Sequence, residues 1–262
     1  MARQEETVPE GKGAPAMKHN TLVFDIETIA DITPGNHDAI TALAEKRQVT
    51  AEEYASLCPP LARVVCIAWY DVTGQKLGAL FDASLTGGWS GSLQVEGGDG
   101  KTRICEIQEC EGEADVLRRF GRLVEQHLGQ PNPQLVTYNG RGFDLPVLIH
   151  RSIKHRVTEG RELLMKAVNE NRYRPLMHVD LLDSVTFCGA SPRFPMAAYA
   201  IGYGWRSPKM DMDGAQVSVA VKEGRIIDVV KYCAGDVLAT AHVYLSLNRL
   251  APECGPGTGE SE

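Results

Sequence analysis

Leu22-Val23-Phe24-Asp25-Ile26-Glu27-Thr28 is the stretch on which the fold turns. Side chains of a strand alternate between its faces, so Leu22, Phe24 and Ile26 go to one side while Asp25 and Glu27, two apart, share the other. Two acids side by side on a mostly apolar strand call for a chemical reason. Two further apolar elements carry acids of the same kind: Asp144 ends Asn139-Gly140-Arg141-Gly142-Phe143-Asp144, and Asp236 ends Tyr232-Cys233-Ala234-Gly235-Asp236. Brought together, four carboxylates make six repulsive pairs, each worth roughly 2–3 kcal/mol at ~6 Å with an effective dielectric near 20. Cations make such a cluster tolerable. Two divalent ions balance it charge for charge, and an all-oxygen donor set favours Mg²⁺ or Mn²⁺ over zinc.

The rest of the chain reads as α/β with a mixed sheet. Residues 31–62 form an insertion with helix signals, among them the capping box Thr50-x-x-Glu53, and Pro59-Pro60 ends it. Arg63 to Tyr70 is a strongly apolar second strand. A third falls at Leu77–Phe81 or at Thr102–Ile107, with the glycine-rich stretch 82–101 as a long hairpin excursion. Glu113 to Leu128 is an amphipathic helix, and Gln134–Tyr138 is a short strand feeding a helix at Asp144–His155. Further helices are expected at 180–187, 195–203 and 226–250. In the last of these, Ile226, Val229, Val230, Cys233, Val237, Ala241, Tyr244 and Leu247 form a sheet-facing stripe; Tyr232 and Asp236, four apart, share a line beside it. Residues 1–20 and 251–262, rich in Gly, Pro, Glu and Lys, are expected to be disordered tails around one domain at 21–250.

At 262 residues and 43% hydrophobic content the chain can bury one substantial core. The first residues carry no charged-then-apolar leader pattern and the longest apolar run, Val64 to Tyr70, is too short for a bilayer, so a cytoplasmic location is the expectation. Seven cysteines without a C-x-x-C read as reduced, mostly buried thiols. The formal charge of −7 argues mildly against nonspecific nucleic-acid binding. Bases outnumber acids between 141 and 174, however, and Arg141, Arg151, Lys154, Arg156, Arg161, Lys166, Arg172 and Arg174 are either a phosphate-binding strip or a solvated helix face.

The three acidic segments, D-x-E on a first strand, N-x-x-x-F-D in the middle and Y-x-x-x-D near the end, resemble the exonuclease motifs of the DEDD superfamily in its tyrosine-containing branch. Similarity extends through Tyr138–Leu148, His178–Asp183, Lys209–Val217 and Tyr232–Thr240. Within that branch the chain resembles the proofreading domain of family B DNA polymerases and stand-alone polymerase-B-like 3′-to-5′ exonucleases. The histidine branch has a His five positions before the last aspartate, where this chain has Lys231. The resemblance implies a ribonuclease H-like fold with five strands ordered 3-2-1-4-5. It also implies two-metal hydrolysis of a nucleic-acid 3′ end, single-stranded DNA favoured and RNA the alternative, to nucleoside 5′-monophosphates, with two Mg²⁺ or Mn²⁺ ions. In that scheme Asp25 bridges both ions, Glu27 and Asp236 complete the first, Asp144 holds the second largely through water, and Tyr232 orients the attacking water. The candidate substrate contacts are Thr28, Asn139, Arg141, Phe143 and Lys209. Asn139 serves equally well as a turn residue, and Phe143 suits a core better than a stacking platform.

Other features carry less. His178-Val179-Asp180-Leu181-Leu182-Asp183 has metal-ligand residue types, but Asp180 is better placed to cap the following helix. Asp211-Met212-Asp213-Gly214 has its glycine too early for a calcium loop, and Gly11-Lys12-Gly13 lacks the spacing of a phosphate loop.

Overall fold

The computed structural model describes residues 19–89, 91–206, 212 and 214–250, without the side chains of residues 215, 249 and 250. Residues 1–18 and 251–262 of the expected tails, Lys209, Asp211 and Asp213 lie outside these residues, and Asn20, placed in a tail by the sequence, already begins the first strand. The strands are β1 (Asn20–Ala30), β2 (Ala62–Asp71), β3 (Lys76–Asp82), β4 (Gly91–Glu96), β5 (Thr102–Cys110), β6 (Pro133–Thr137) and β7 (His178–Asp180). The α-helices are α1 (His37–Glu45), α2 (Ala51–Leu57), α3 (Glu113–Leu128), α4 (Asp144–His155), α5 (Arg161–Asn169), α6 (Leu181–Val185), α7 (Met196–Gly202), α8 (Val217–Lys222) and α9 (Ile226–Leu250). Among the described residues no helix is long and apolar enough to cross a membrane.

The strands form one mixed sheet in the order β4-β5-β3-β2-β1-β6-β7. Its last five members are the 3-2-1-4-5 arrangement that the resemblance implied: β2 runs antiparallel to β1 and β3, whereas β6 is parallel to β1 and β7 parallel to β6. The sheet has seven strands rather than five because the glycine-rich excursion contributes a hairpin. Its second strand, β5, pairs parallel with β3, and β4 closes the edge. The two alternatives for a third strand are thus both strands, side by side.

The alternation in β1 sorts the molecule into two layers. Leu22, Phe24 and Ile26 pack with α3, α4 and α5 in one core, where the Phe24 and Phe120 rings lie 5.1 Å apart. Val23 faces the other core, made with α9 through Ile226, Val229, Val230, Cys233, Val237, Ala241 and Tyr244. Asp25 and Glu27 continue the Val23 row. Between Glu27 and Thr28 the register slips, Glu27 pairing with Cys66 and Thr28 with Val64; such a bulge re-aims side chains at a strand end.

The insertion begins where the sequence places it. Thr50 caps α2 with both halves of the capping box present. It is fastened to the sheet by Arg151, which is 1% exposed and does not belong to any solvent-facing basic strip. The Arg151 guanidinium donates to Glu113 at 2.7 and 2.5 Å and to the Pro60 carbonyl at 2.9 Å, and it lies 2.8 Å from Asp31. Glu113 also accepts the Val64 N–H at 2.8 Å and contacts His155 at 2.6 Å. Lys154 is ion-paired to Asp31 and Arg172 to Asp183. Of the bases at 141–174, Arg151 is thus enclosed and Arg141, Lys154 and Arg172 are engaged by acids, while Lys154, Arg156, Lys166 and Arg174 stay exposed.

Candidate active site

Three elements deliver the four acids. β1 presents Asp25 and Glu27, α9 presents Tyr232 and Asp236 across the same face of the sheet, and Asp144 is the first residue of α4. The chain reaches Asp144 through a tight turn. Asn139 takes a left-handed φ of 63°, and its carbonyl accepts the N–H groups of Gly142 and Phe143. Gly140 passes so close to β6 that a Cβ there would lie 2.1 Å from the Thr137 hydroxyl. Asp180 locks the turn from β7: its carboxylate accepts the N–H of Asn139 at 2.8 Å, of Arg141 at 2.9 Å and of Leu182 at 3.0 Å. The last of these is the expected helix cap of α6.

Burial is the first cause that raises the proton affinity of every one of these acids. For Asp25 the charges of Asp144 and Asp236 follow, and for Glu27 those of Asp25, Asp236 and Asp144. Asp144 is pushed up to about 7, partly by Asp180, and Asp236 up to about 6. Asp25 and Asp144 are close enough to share a hydrogen bond, while the second oxygen of Asp144, Oδ1, is buried without a hydrogen-bond partner. Burial, and then the charges of Asp236 and Glu27 beside it, raise the pKa of the Tyr232 phenol. The phenol therefore stays protonated at neutral pH.

Cys233 completes a group that sequence spacing did not single out. Its Sγ and carboxylate oxygens of Asp25 and Glu27 lie within 4.8 Å of one another. The thiol donates to the Asp25 carbonyl at 3.5 Å, and burial holds its proton tightly, so the donors open to a cation are oxygens. Such a set suits a hard divalent ion. Every charged neighbour that shifts Asp25 other than through hydrogen bonding is a carboxylate, and an unpartnered buried oxygen beside them is what a cation would satisfy.

The substrate-contact candidates are dispersed. Thr28 is half-buried just past the bulge, and Phe143 packs on the α3–α4 core. Arg141 is held by the carbonyls of Val168 and Glu170 at 2.6 and 2.9 Å. His178 is buried against the Thr137 hydroxyl at 2.8 Å with its pKa lowered to about 3, first by burial and then by Arg141. It stands apart from any metal-ligand role. Tyr138, next to the turn, forms an aromatic group with Tyr199 and Phe194 that periodicity did not reveal.

The burial of these acids gives a pH-dependent signature. An acid whose proton affinity is higher in the folded chain binds more protons than in the unfolded one, so stability falls as pH rises from the unfolded pKa through the folded one. For Asp236 that window runs from 3.8 to about 6. In EDTA, Asp236→Asn should match the parent in melting temperature near pH 4. Above pH 6 it should melt higher by on the order of 5–10 °C, from roughly 1.4 kcal/mol per pKa unit and 2–4 °C per kcal/mol. A difference that stays constant with pH would show that burial does not raise the proton affinity of Asp236 in this way.

A mixed sheet in this order, with acids converging from β1, α4 and α9, defines a ribonuclease H-like exonuclease fold. The model of a family described as predicted 3′-5′ exonucleases related to the exonuclease domain of PolB matches residues 89–255, more than half of the chain, and the chain belongs to that family. The match takes in Asp144, Tyr232 and Asp236, whereas Asp25 and Glu27 lie upstream of it. No match was found among proteins with curated descriptions.

Proposed function

We propose that the protein is a divalent-metal-dependent 3′-to-5′ exonuclease that removes nucleoside 5′-monophosphates from single-stranded or frayed 3′ ends, DNA above RNA. The observation that supports it is the convergence of Asp25, Glu27, Asp144 and Asp236, each raised in proton affinity, in a chain of an exonuclease family. Asp25, Glu27 and Asp236 would hold one Mg²⁺ or Mn²⁺, and Asp144 with Asp25 a second. When bound, the ions lower the pKa of an attacking water and support the leaving 3′-oxygen. Tyr232 contributes position rather than basicity, because its raised pKa keeps the proton on the phenol. Its hydroxyl, on the Asp236 line of α9, orients the water for attack.

Digestion of matched labelled DNA and RNA single strands with Mg²⁺, Mn²⁺ or EDTA tests the reading. Cleavage should need the metal, release 5′-monophosphates and be slowed by a 3′-terminal phosphorothioate. Cutting of a circular strand, or undiminished cleavage in EDTA, would overturn it. Tyr232→Phe keeps the ring packed and removes one hydrogen bond, so turnover should fall by roughly one to three orders of magnitude while calorimetric Mn²⁺ binding persists. Parent-rate cleavage by that variant would remove Tyr232 from the chemistry.

A further inference from the structure

Beyond the Asn139–Phe143 turn lies a cavity of about 200 Å³, bounded by two segments whose backbones are hydrogen-bonded or conformationally fixed. One is the 170–177 connection. The Glu170 carboxylate accepts the N–H groups of Leu176, Met177 and His178 at 2.8–3.0 Å, and Asn171 accepts the Tyr173 N–H at 2.9 Å. The result is a closed loop that holds Tyr173 71% exposed. The other is the end of α6, where Phe187 and Cys188 both take left-handed backbone angles, φ 52° and 57°. Two consecutive non-glycine residues in that region are strained, and Phe187 gains no burial there, being 76% exposed. The turn closes α6, the Cys188 N–H donating to the Asp183 carbonyl at 2.7 Å, and leaves the Phe187 ring in water.

The floor is chemically mixed. Arg141 and Arg172 are set against Asp183, and Asp180 lines the cavity beside them. Arg141 Nε lies 3.5 Å from Oδ2 of Asp183, whereas Nε of Arg172 is buried without a hydrogen-bond partner, so the floor offers both charges to a ligand edge. A phosphate would satisfy the arginines but be repelled by two carboxylates. A planar heterocycle carrying donors and acceptors on its edge matches the floor, and its faces match Tyr173 and Phe187. The volume lies below the usual range for drug-sized ligands, which suits a single ring system. Arg141 and Asp180 also tie the cavity to the turn that carries Asp144.

We infer that this cavity is a nucleobase subsite, which takes one unpaired base of the strand upstream of the 3′ end and stacks it between Tyr173 and Phe187. The inference rests on the exonuclease reading for its ligand. It explains a rigid, strained display of aromatic side chains next to the active site, and it gives the strand a hold that does not depend on net positive charge.

The test uses a short single strand with 2-aminopurine at successive positions from a 3′-terminal phosphorothioate, in Ca²⁺. In the parent, fluorescence at one upstream position should be quenched. Tyr173→Ala and Phe187→Gly should each weaken binding about 5- to 150-fold and abolish the quenching, whereas Tyr173→Phe should keep both. Phe187→Gly should melt no lower than the parent, because glycine adopts φ 52° without strain; loss of binding then reports the ring and not the fold. Parent-like binding by Tyr173→Ala and Phe187→Gly overturns the subsite, as does an equal loss on a strand made abasic at the quenched position. A parent that shows this quenching yet does not hydrolyse an unmodified strand in Mg²⁺ or Mn²⁺ keeps the subsite and refutes the exonuclease. A parent that cleaves while its variants bind like it refutes the subsite alone.

Discussion

Asp25→Asn should lower strand hydrolysis by more than about 10³-fold and, without metal, raise the melting temperature. Losing one preorganised charge-stabilising group costs roughly 10²–10³ in rate. Asp25 is placed for more than one interaction: Asp144 and Asp236 both raise its proton affinity, and Glu27 feels its charge most strongly of the three neighbouring acids. A carboxylate central to the cluster is the one on which both proposed ions depend. The same centrality makes it the costliest charge in the metal-free fold, and the amide of Asn keeps its shape while ending its repulsion. The two effects have opposite signs, which no general loss of structure can imitate. Turnover on a labelled strand and thermal melts in EDTA and in Mn²⁺ decide the matter. The parent should gain stability from Mn²⁺, and the variant should gain little. Undiminished cleavage by Asp25→Asn would sink the proposed function, and a lower melting temperature in EDTA would sink the repulsion argument.

Much of this arrangement is legible in the chain because it rests on long periodic elements. β1 alternates cleanly enough to assign both faces, and α3, α4 and α9 each carry an apolar stripe with recognisable ends. Shorter pieces escape. β7 has three residues, fewer than one full alternation, and is set by its parallel pairing with β6 rather than by its own pattern. α5 and α8 are short and were not expected, and β4 is a largely exposed edge strand. The convergence of acids needs the topology, since spacing shows which residues share an element and not which elements meet. Cys233 illustrates this: it reads as one more member of the α9 stripe, and the fold sets it against Asp25 and Glu27. The basic strip loses Arg151 for a different reason, because composition counts charges without direction. Arg151 lies three residues after Leu148 and four after Val147, on the buried side of α4, a position that a helical reading of 144–155 marks as interior.

That interior position makes Arg151→Met the most damaging substitution expected away from the acids. Glu113 and Arg151 are almost completely enclosed, and the guanidinium also carries Asp31 and the Pro60 carbonyl, so one side chain joins both ends of the insertion, α3 and α4, and through Glu113 also β2. Removing one partner of a buried pair leaves an uncompensated charge, at about 3–5 kcal/mol. In a domain of this size that lowers the melting temperature by on the order of 10 °C. If the orphaned charge is the cause, neutralising it helps: Arg151→Met with Glu113→Gln should melt higher than Arg151→Met alone, because the amide oxygen still accepts the Val64 N–H. Strand binding supplies an independent reading. A lost phosphate contact on a single strand flattens the salt dependence by about 0.7 in logarithmic slope, whereas a guanidinium sealed among Glu113, Asp31 and Pro60 should leave the slope as it was. A flatter slope with an unchanged melting temperature would return Arg151 to the surface and to the substrate.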